Sequence, residues 1–284
     1  DDDRLANGGV VKGYFQEWEE RIRKIRTLEA NFYQKVRAVF ATSVDYSLKA
    51  DYAREFFRVV QNKYPFTPIH EIIIHSDDHH KNFDELPVHM SEDIFNVYRK
   101  RFEEHKNKGQ VYIFHNQGKR AGESLPHPHT QLTVVPSEVE LKIPELHLAQ
   151  EEKKDLKHLY IFCPGTSEWP DEVWVAPHKS SASYAEATDS EVNELAFAVG
   201  RLLQIFDLRH GHDFPFNFYI YPGKNWYLRF IPRLKTLGGF EVGTGVWVNT
   251  QAPYETFQFI KEHFDNPDIE KIKSQHLADY WKSV

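Results

Sequence analysis

Val111-Tyr112-Ile113-Phe114, a loop, then Gln131-Leu132-Thr133-Val134-Val135-Pro136 has a counterpart later in the chain: Phe218-Tyr219-Ile220-Tyr221, a loop, then Tyr227-Leu228-Arg229-Phe230-Ile231-Pro232. Each run is rich in β-branched and aromatic residues, and each pair is joined by a Gly-containing connection and closed by proline, which reads as two strands. The connections leave no room for a crossover helix, so the strands pair antiparallel. A strand and a helix precede each pair. In the first half these are Glu71–His75 and a helix capped by Ser91, with Ile94, Val97, Tyr98 and Phe102 inward, stopping near Gly109. In the second they are Glu172–Ala176 and a helix capped by Asp189, whose stripe is Val192, Leu195, Ala196, Val199, Leu202, Leu203 and Phe206 and whose end is His210-Gly211. The shared order predicts an α+β fold of two duplicated halves, 1–150 and 151–284, with antiparallel sheets flanked by helices. The division falls in the acidic, weakly periodic stretch 136–167. A parallel α/β sheet is the alternative, because strands and helices alternate. Further expected elements are a helix at 14–28 and a second through Phe40, a strand at Gly245–Val248, and a helix opened by Pro253.

The chain has 284 residues, ample for two domains. Lys plus Arg number 35 against 42 Asp plus Glu, a net charge of −7, which argues against general nucleic-acid binding while allowing a local basic pocket. The single Cys163 excludes an intrachain disulfide and a CxxC zinc knuckle; in its apolar run it is expected to be buried. No run approaches the ~18 apolar residues of a membrane span. Asp1-Asp2-Asp3 carries neither a Met nor a signal-peptide pattern, so a trimmed start and a cytoplasmic location are expected.

Histidine is abundant, with 16 residues. The richest stretch is His115-Asn-Gln-Gly-Lys-Arg-Ala-Gly-Glu-Ser-Leu-Pro-His127-Pro-His129-Thr-Gln131. His127, His129 and Gln131 alternate, which on extended chain puts two imidazoles and an amide on one face. Upstream, Gly118, Gly122 and Ser124 offer backbone amides and a hydroxyl for a phosphate, and Lys119 and Arg120 add positive charge. No Ser or Cys nucleophile with a paired base is apparent, so the set suits phosphoryl rather than acyl transfer. Loop histidines such as His80, His210 and His212 are expected to be solvated, and Trp226, Tyr227 and Trp247 to be core.

Asn116-x-Gly118-x-x-x-Gly122-x-Ser124-x-x-His127-Pro128-His129-x-Gln131 resembles the signature of galactose-1-phosphate uridylyltransferases and their relatives, the transferase branch of the histidine-triad superfamily. Asn62-Lys-Tyr-Pro65, Ser76-Asp-Asp-His79 and Gly239-Phe-Glu-Val-Gly-Thr-Gly245 with Asn249 resemble further segments of that family and of ADP-glucose phosphorylases, in order from about residue 60 to about 265. The resemblance implies histidine-triad-like halves, the second without active-site histidines. It implies His129 as a nucleophile that takes a nucleoside monophosphate from a nucleoside diphosphate sugar, its other nitrogen bonded to a backbone carbonyl, and a ping-pong scheme passing the group to a phosphorylated acceptor. It implies Gln131 and Ser124 on the phosphate oxygens, His127 in the catalytic group, and Asn62, Asn116, Gly122 and Lys119 at the substrate. Arg229 and Arg233 are the candidates for the acceptor phosphate. A homodimer is expected, as are no membrane partner and no cofactor. No metal is expected either: the family's zinc site needs two cysteines that are absent here, besides histidines matching His79 and His127, and a second site needs a histidine where Trp226–Arg229 stand. Glu123 is expected to turn outward and pair with Arg120 or Lys119, because a carboxylate facing a phosphate is repulsive. The alternatives are a dinucleoside-polyphosphate phosphorylase and a catalytically silent nucleotide-binding protein.

Overall fold

A computed structural model describes residues 58–271, apart from 79, 80, 82, 126, 148–151, 180 and 269. The helices expected within 14–40 lie outside the described residues, as does His79. The chain divides into two compact units, Asp1–Ala53 and Arg54–Val284, and all of the described residues belong to the second.

Among the described residues nine strands form one sheet: β1 (Arg58–Gln61), β2 (Ile69–Ile74), β3 (Gln110–Gln117), β4 (His129–Val135), β5 (Lys153–Asp155), β6 (Leu159–Phe162), β7 (Val173–Pro177), β8 (Phe216–Ile220) and β9 (Leu228–Pro232). The α-helices among the described residues are α1 (Val88–His105), α2 (Asp189–His210), α3 (Gly239–Thr244) and α4 (Pro253–His263). The strand order is β1-β2-β4-β3-β8-β9-β7-β6-β5, and every pairing is antiparallel. Around the β3–β8 seam the order is mirrored: β2-β4-β3 on one side, with α1 between β2 and β3 in sequence, and β7-β9-β8 on the other, with α2 between β7 and β8. The two expected sheets are thus one continuous sheet. At the seam Asn116 pairs with Asn217 and His115 with Phe218.

Alternation along the strands separates two faces. The helix-covered face holds the main core: Ile113, Leu132, Val134, Val173, Val175, Phe216, Phe218, Leu228 and Phe230 pack with Ile94, Phe95, Tyr98, Val199, Leu202 and Phe206 of the helices. Arg101 and His105 of α1 bond to Glu71 of β2, which fixes that helix across the sheet. The opposite face carries a smaller cluster of Phe162, Trp169, Trp174, Tyr219, Tyr227 and Ile231. Trp226, Tyr227 and Cys163 are buried.

Several expected boundaries move. Helix α1 begins at Val88 behind Pro87, so Ser91 is a buried residue of its first turns rather than its cap. The cap of α2 is Thr188, in a capping box with Glu191, and Asp189 is its first helical residue. Residues 245–248 make no strand; they follow α3 as an irregular segment whose Val246, Trp247 and Val248 are exposed. β5 and β6 lie in the stretch that shows no clear periodicity.

Candidate active site

His129 opens β4, and Gln131 lies on the same strand face; His127 precedes the strand. The His129 ring is 6% exposed, and its Nδ1 donates to the carbonyl of His127 at 2.7 Å. That bond fixes the tautomer and leaves Nε2 with a lone pair. Among the described residues Nε2 makes no hydrogen bond, and it is not one of the sealed, partnerless nitrogens, unlike His75 Nδ1 and His115 Nε2. Burial lowers the His129 pKa, with the carbonyl bond opposing, so the neutral ring dominates near pH 7. His127 directs Nε2 to the carbonyl of Ser76 at 2.9 Å, which holds the 127–129 turn against the β2 exit.

Gln131 is joined to a residue that the motif does not contain. His70 of β2 sits with Nε2 2.8 Å from Gln131 Oε1, and Asn62 Nδ2 lies beside the same ring. A signal was available: His70 and Ile72 alternate on β2 toward the face that His129 and Gln131 use on β4. Among the site residues of β1–β4, Asn62, His70, Gln131 and His129 therefore form one group.

The loop before the motif is organised by its own hydrogen bonds. Gly118 (φ +79°) and Gly122 (φ +86°) take left-handed conformations. The amides of Ala121 and Glu123 donate to the Gly118 carbonyl at 2.9 and 3.3 Å, and that of Gly122 donates to the Lys119 carbonyl at 3.1 Å. Glu123 accepts the Gly118 amide at 2.9 Å instead of pairing with Arg120 or Lys119, and burial raises its pKa. The expected cradle of glycine amides is thus occupied internally. Lys119, Arg120, Gly122 and the Ser124 hydroxyl remain exposed.

A second group crosses the seam. Asn217 Nδ2 donates to Asn116 Oδ1 at 2.7 Å and to the Ala121 carbonyl at 2.8 Å, and Asn217 Oδ1 accepts from Arg233 Nη1 at 2.7 Å. Arg233 lies over the Trp169 ring at 4.4 Å, and its buried Nε has no partner. Arg229 is placed differently from the expectation of an acceptor-phosphate cation. It is 4% exposed and donates to Glu172 at 2.7 and 2.8 Å and to Glu168 at 2.8 Å, so its charge is already neutralised beneath the surface.

Behind β4, on the helix-covered face, Thr130 Oγ1 lies 2.9 Å from His75 Nε2, 3.2 Å from His115 Nδ1 and within hydrogen-bond reach of the Tyr98 hydroxyl, which is itself 2.9 Å from His75 Nε2. Burial, then the neighbouring His129, pushes His115 down to about 3, and burial lowers His75 well below the usual histidine range. His210, expected to be solvated, has Nε2 2.8 Å from the buried Asp171 carboxylate. No three His, Cys, Asp or Glu side chains gather as a metal site among the described residues, which do not include His79, and His127 Nε2 is engaged by the Ser76 carbonyl. No described helix is long and apolar enough to cross a membrane.

The chain is 26% identical over 226 residues to ADP-glucose phosphorylase of Arabidopsis thaliana, covering 68% of this chain and 64% of that one. It is 22% identical over 232 residues to galactose-1-phosphate uridylyltransferase of Thermotoga maritima, covering 68% and 73%. The crystal structure of an Arabidopsis thaliana ADP-glucose phosphorylase with bound ADP-glucose superposes with a TM-score of 0.64 at 21% identity, over 73% of this chain and 82% of that one. The chain is similar to the galactose-1-phosphate uridylyltransferase-like family. It spans less than two thirds of the plant relative's length. The galactose-1-phosphate uridylyltransferase-like likeness lies in the fold as well as in the motif order. A profile of the virulence protein RhuM family matches residues 1–105, a stretch that begins before the described residues and runs through β1 and β2 to the end of α1.

Proposed function

We propose that the chain is a nucleotidyltransferase in which His129 takes a nucleoside monophosphate from a nucleoside diphosphate sugar and passes it to a sugar phosphate or to phosphate. One observation carries the reading: the His129 ring gives its Nδ1 proton to a backbone carbonyl and keeps Nε2 unbonded, on the strand face of Gln131. In the first step the Nε2 lone pair forms an N–P bond at the α-phosphorus, and the P–O bond to the sugar 1-phosphate breaks with its electron pair. The ring becomes cationic in the phosphoramidate, and the His127 carbonyl then holds the Nδ1 proton in a charge-assisted bond. In the second step an acceptor phosphate oxygen bonds to phosphorus as N–P breaks, restoring the neutral ring.

Gln131 and Ser124 would donate to the non-bridging oxygens, the electrostatic part of the barrier. A neutral amide offers no acid or base to water, which favours transfer over hydrolysis. Asn62, Asn116, Gly122, Lys119 and Arg233 form the proposed substrate-binding set, with His127 as the support of His129. The two halves meet near residue 150 in this reading, between β4 and β5. A homodimer is the proposed working unit, supported by the exposed apolar side chains Phe240, Val242, Val246, Trp247 and Val248. The internally satisfied loop 118–123 favours a second reading, a nucleotide-binding protein without turnover.

Intact mass after incubation with UDP-glucose, ADP-glucose or diadenosine tetraphosphate separates the readings. An acid-labile nucleotidyl adduct absent in His129→Ala supports transfer, and the donor that forms it names the substrate class. Tight binding with no adduct from any donor favours the silent protein.

A further inference from the structure

The amide of Gln131 can serve a phosphate only one way round. Its NH2 end donates to an anionic oxygen, whereas its carbonyl end repels one, and a side-chain flip exchanges the two. What fixes the flip is therefore part of the site. The bonds around His70 decide it, starting from a backbone group whose role is not adjustable.

The Tyr64 amide donates to Asn62 Oδ1 at 2.9 Å, so the oxygen of Asn62 is committed and its Nδ2 faces His70. An NH2 group only donates, so the ring nitrogen it meets carries no proton. Gln131 Oε1 stands 2.8 Å from His70 Nε2, and an amide oxygen only accepts, so Nε2 carries the proton. Asn62 Nδ2 is 3.0 Å from Nε2 and 3.3 Å from Nδ1, and of these only Nδ1 is left to accept. The contacts are mutually consistent in one direction: Tyr64 amide to Asn62, Asn62 Nδ2 to His70 Nδ1, and His70 Nε2–H to Gln131 Oε1. The end of Gln131 that remains is its NH2. His70 itself is 1% exposed, its ring meets the Phe66 ring edge-on at 4.3 Å, and its backbone carbonyl accepts the Asn62 amide at 2.8 Å. A protonated ring would set Nδ1–H against Asn62 Nδ2, donor against donor; burial keeps the ring neutral.

We propose that His70 is a positioning residue that holds Gln131 by its oxygen, so that the amide presents its NH2 group to the phosphoryl group transferred at His129. The proposal rests on the reading of His129 as nucleophile. It adds a residue outside the His-Pro-His-x-Gln segment and gives Asn62 an indirect task, through a ring, besides its place near the substrate.

Two measurements test it. Long-range proton–nitrogen spectra of the unliganded full chain at pH 7.5 are expected to give His70 as the neutral Nε2–H tautomer; an imidazolium or an Nδ1–H tautomer overturns the chain of bonds whether or not the protein is an enzyme. For turnover, single-turnover formation of the nucleotidyl adduct is compared in His70→Phe, His70→Gln, Gln131→Ala and the His70→Phe/Gln131→Ala pair. Removing a preorganised donor costs about 10²–10³ in rate, so Gln131→Ala falls in that range and His70→Phe, which frees the donor without deleting it, loses about tenfold with donor affinity little changed. His70→Gln, which keeps a donor at the reach of Nε2 and an acceptor toward Asn62, recovers most of the rate. The double variant is no slower than Gln131→Ala alone. Losses that multiply in the double variant, or a His70→Gln as slow as His70→Phe, overturn the proposal. Failure of the unaltered chain to form an adduct with any donor, with the Nε2–H tautomer present, refutes the nucleophile reading and with it the catalytic use of the chain, while its geometry stands.

Discussion

Lowering the pH from 7 to 5 sets the folded chain a specific problem at His115. The ring is 2% exposed, lies flat on Phe218 at 4.9 Å and beside His75 at 5.3 Å, and titrates at about 3 against 6.5 for an unperturbed histidine. The unfolded chain binds a proton at His115 between these values and the folded chain does not. Stability is therefore complete above pH 6.5 and is lost as pH falls through the window toward 3. Each unit within it costs about 1.4 kcal/mol, so His115 alone removes about 2 kcal/mol by pH 5. His75, lowered well below its ordinary value, acts in the same direction. His115→Phe removes this titration, keeps the stack on Phe218, and leaves Thr130 its contacts with Tyr98 and His75. Urea unfolding followed by tryptophan fluorescence at pH 7 and pH 5 measures the difference. The unaltered chain should lose about 2 kcal/mol more than His115→Phe over that interval, roughly 0.7–1 M in midpoint. Equal losses in the two proteins would refute the argument, because carboxylate titration is common to both.

Arg229→Met strands Glu172 in the sheet and should cost about 3–5 kcal/mol in urea unfolding, most of it regained in Arg229→Met/Glu172→Gln; a variant of unchanged stability but weakened acceptor binding would restore Arg229 to the phosphate site. Gly118→Ala puts a Cβ 3.0 Å from Pro215 Cβ at a φ of +79° and should destabilise the chain by about 1–3 kcal/mol, read as a lower unfolding midpoint. Arg233→Met removes the cation on Asn217 and should weaken donor binding about tenfold in a titration, the direct contact being charge-assisted; unchanged affinity would detach the seam from the site.

The strand pairs at Val111–Phe114 and Phe218–Tyr221 were legible because alternation and turn residues are local properties, and so was the stripe of α2, since all of its named apolar members are buried. That the two halves share one sheet was not legible: the β3–β8 pairing joins distant residues, and nothing in either strand names its partner. Residues 245–248 read as a strand because Val and Trp suit one, but propensity alone does not pair a segment, and this one pairs with no described strand. β5 was hidden because its Lys-Lys-Asp sequence suits an exposed edge rather than a core. In the candidate site, the alternation of His129 and Gln131 was legible, and the two side chains share one face of β4. Arg229 was misjudged because charge is visible in sequence and its neutralisation by Glu172 is not. The Glu123 contact was missed for the same reason, a backbone amide being a silent partner.

The β3–β8 seam has a mechanical consequence. Five residue pairs from Ile113 and Ile220 to Gln117 and Phe216 lock the halves strand to strand, with Asn217 riveting the loop to both. Such a plate has no hinge line along its middle, so the halves cannot clamp by rotating against one another. Under the proposed function, closure over a nucleotide sugar would come from segments at the periphery of the face opposite α1 and α2, and crosslinks that freeze the seam should leave ligand entry unhindered.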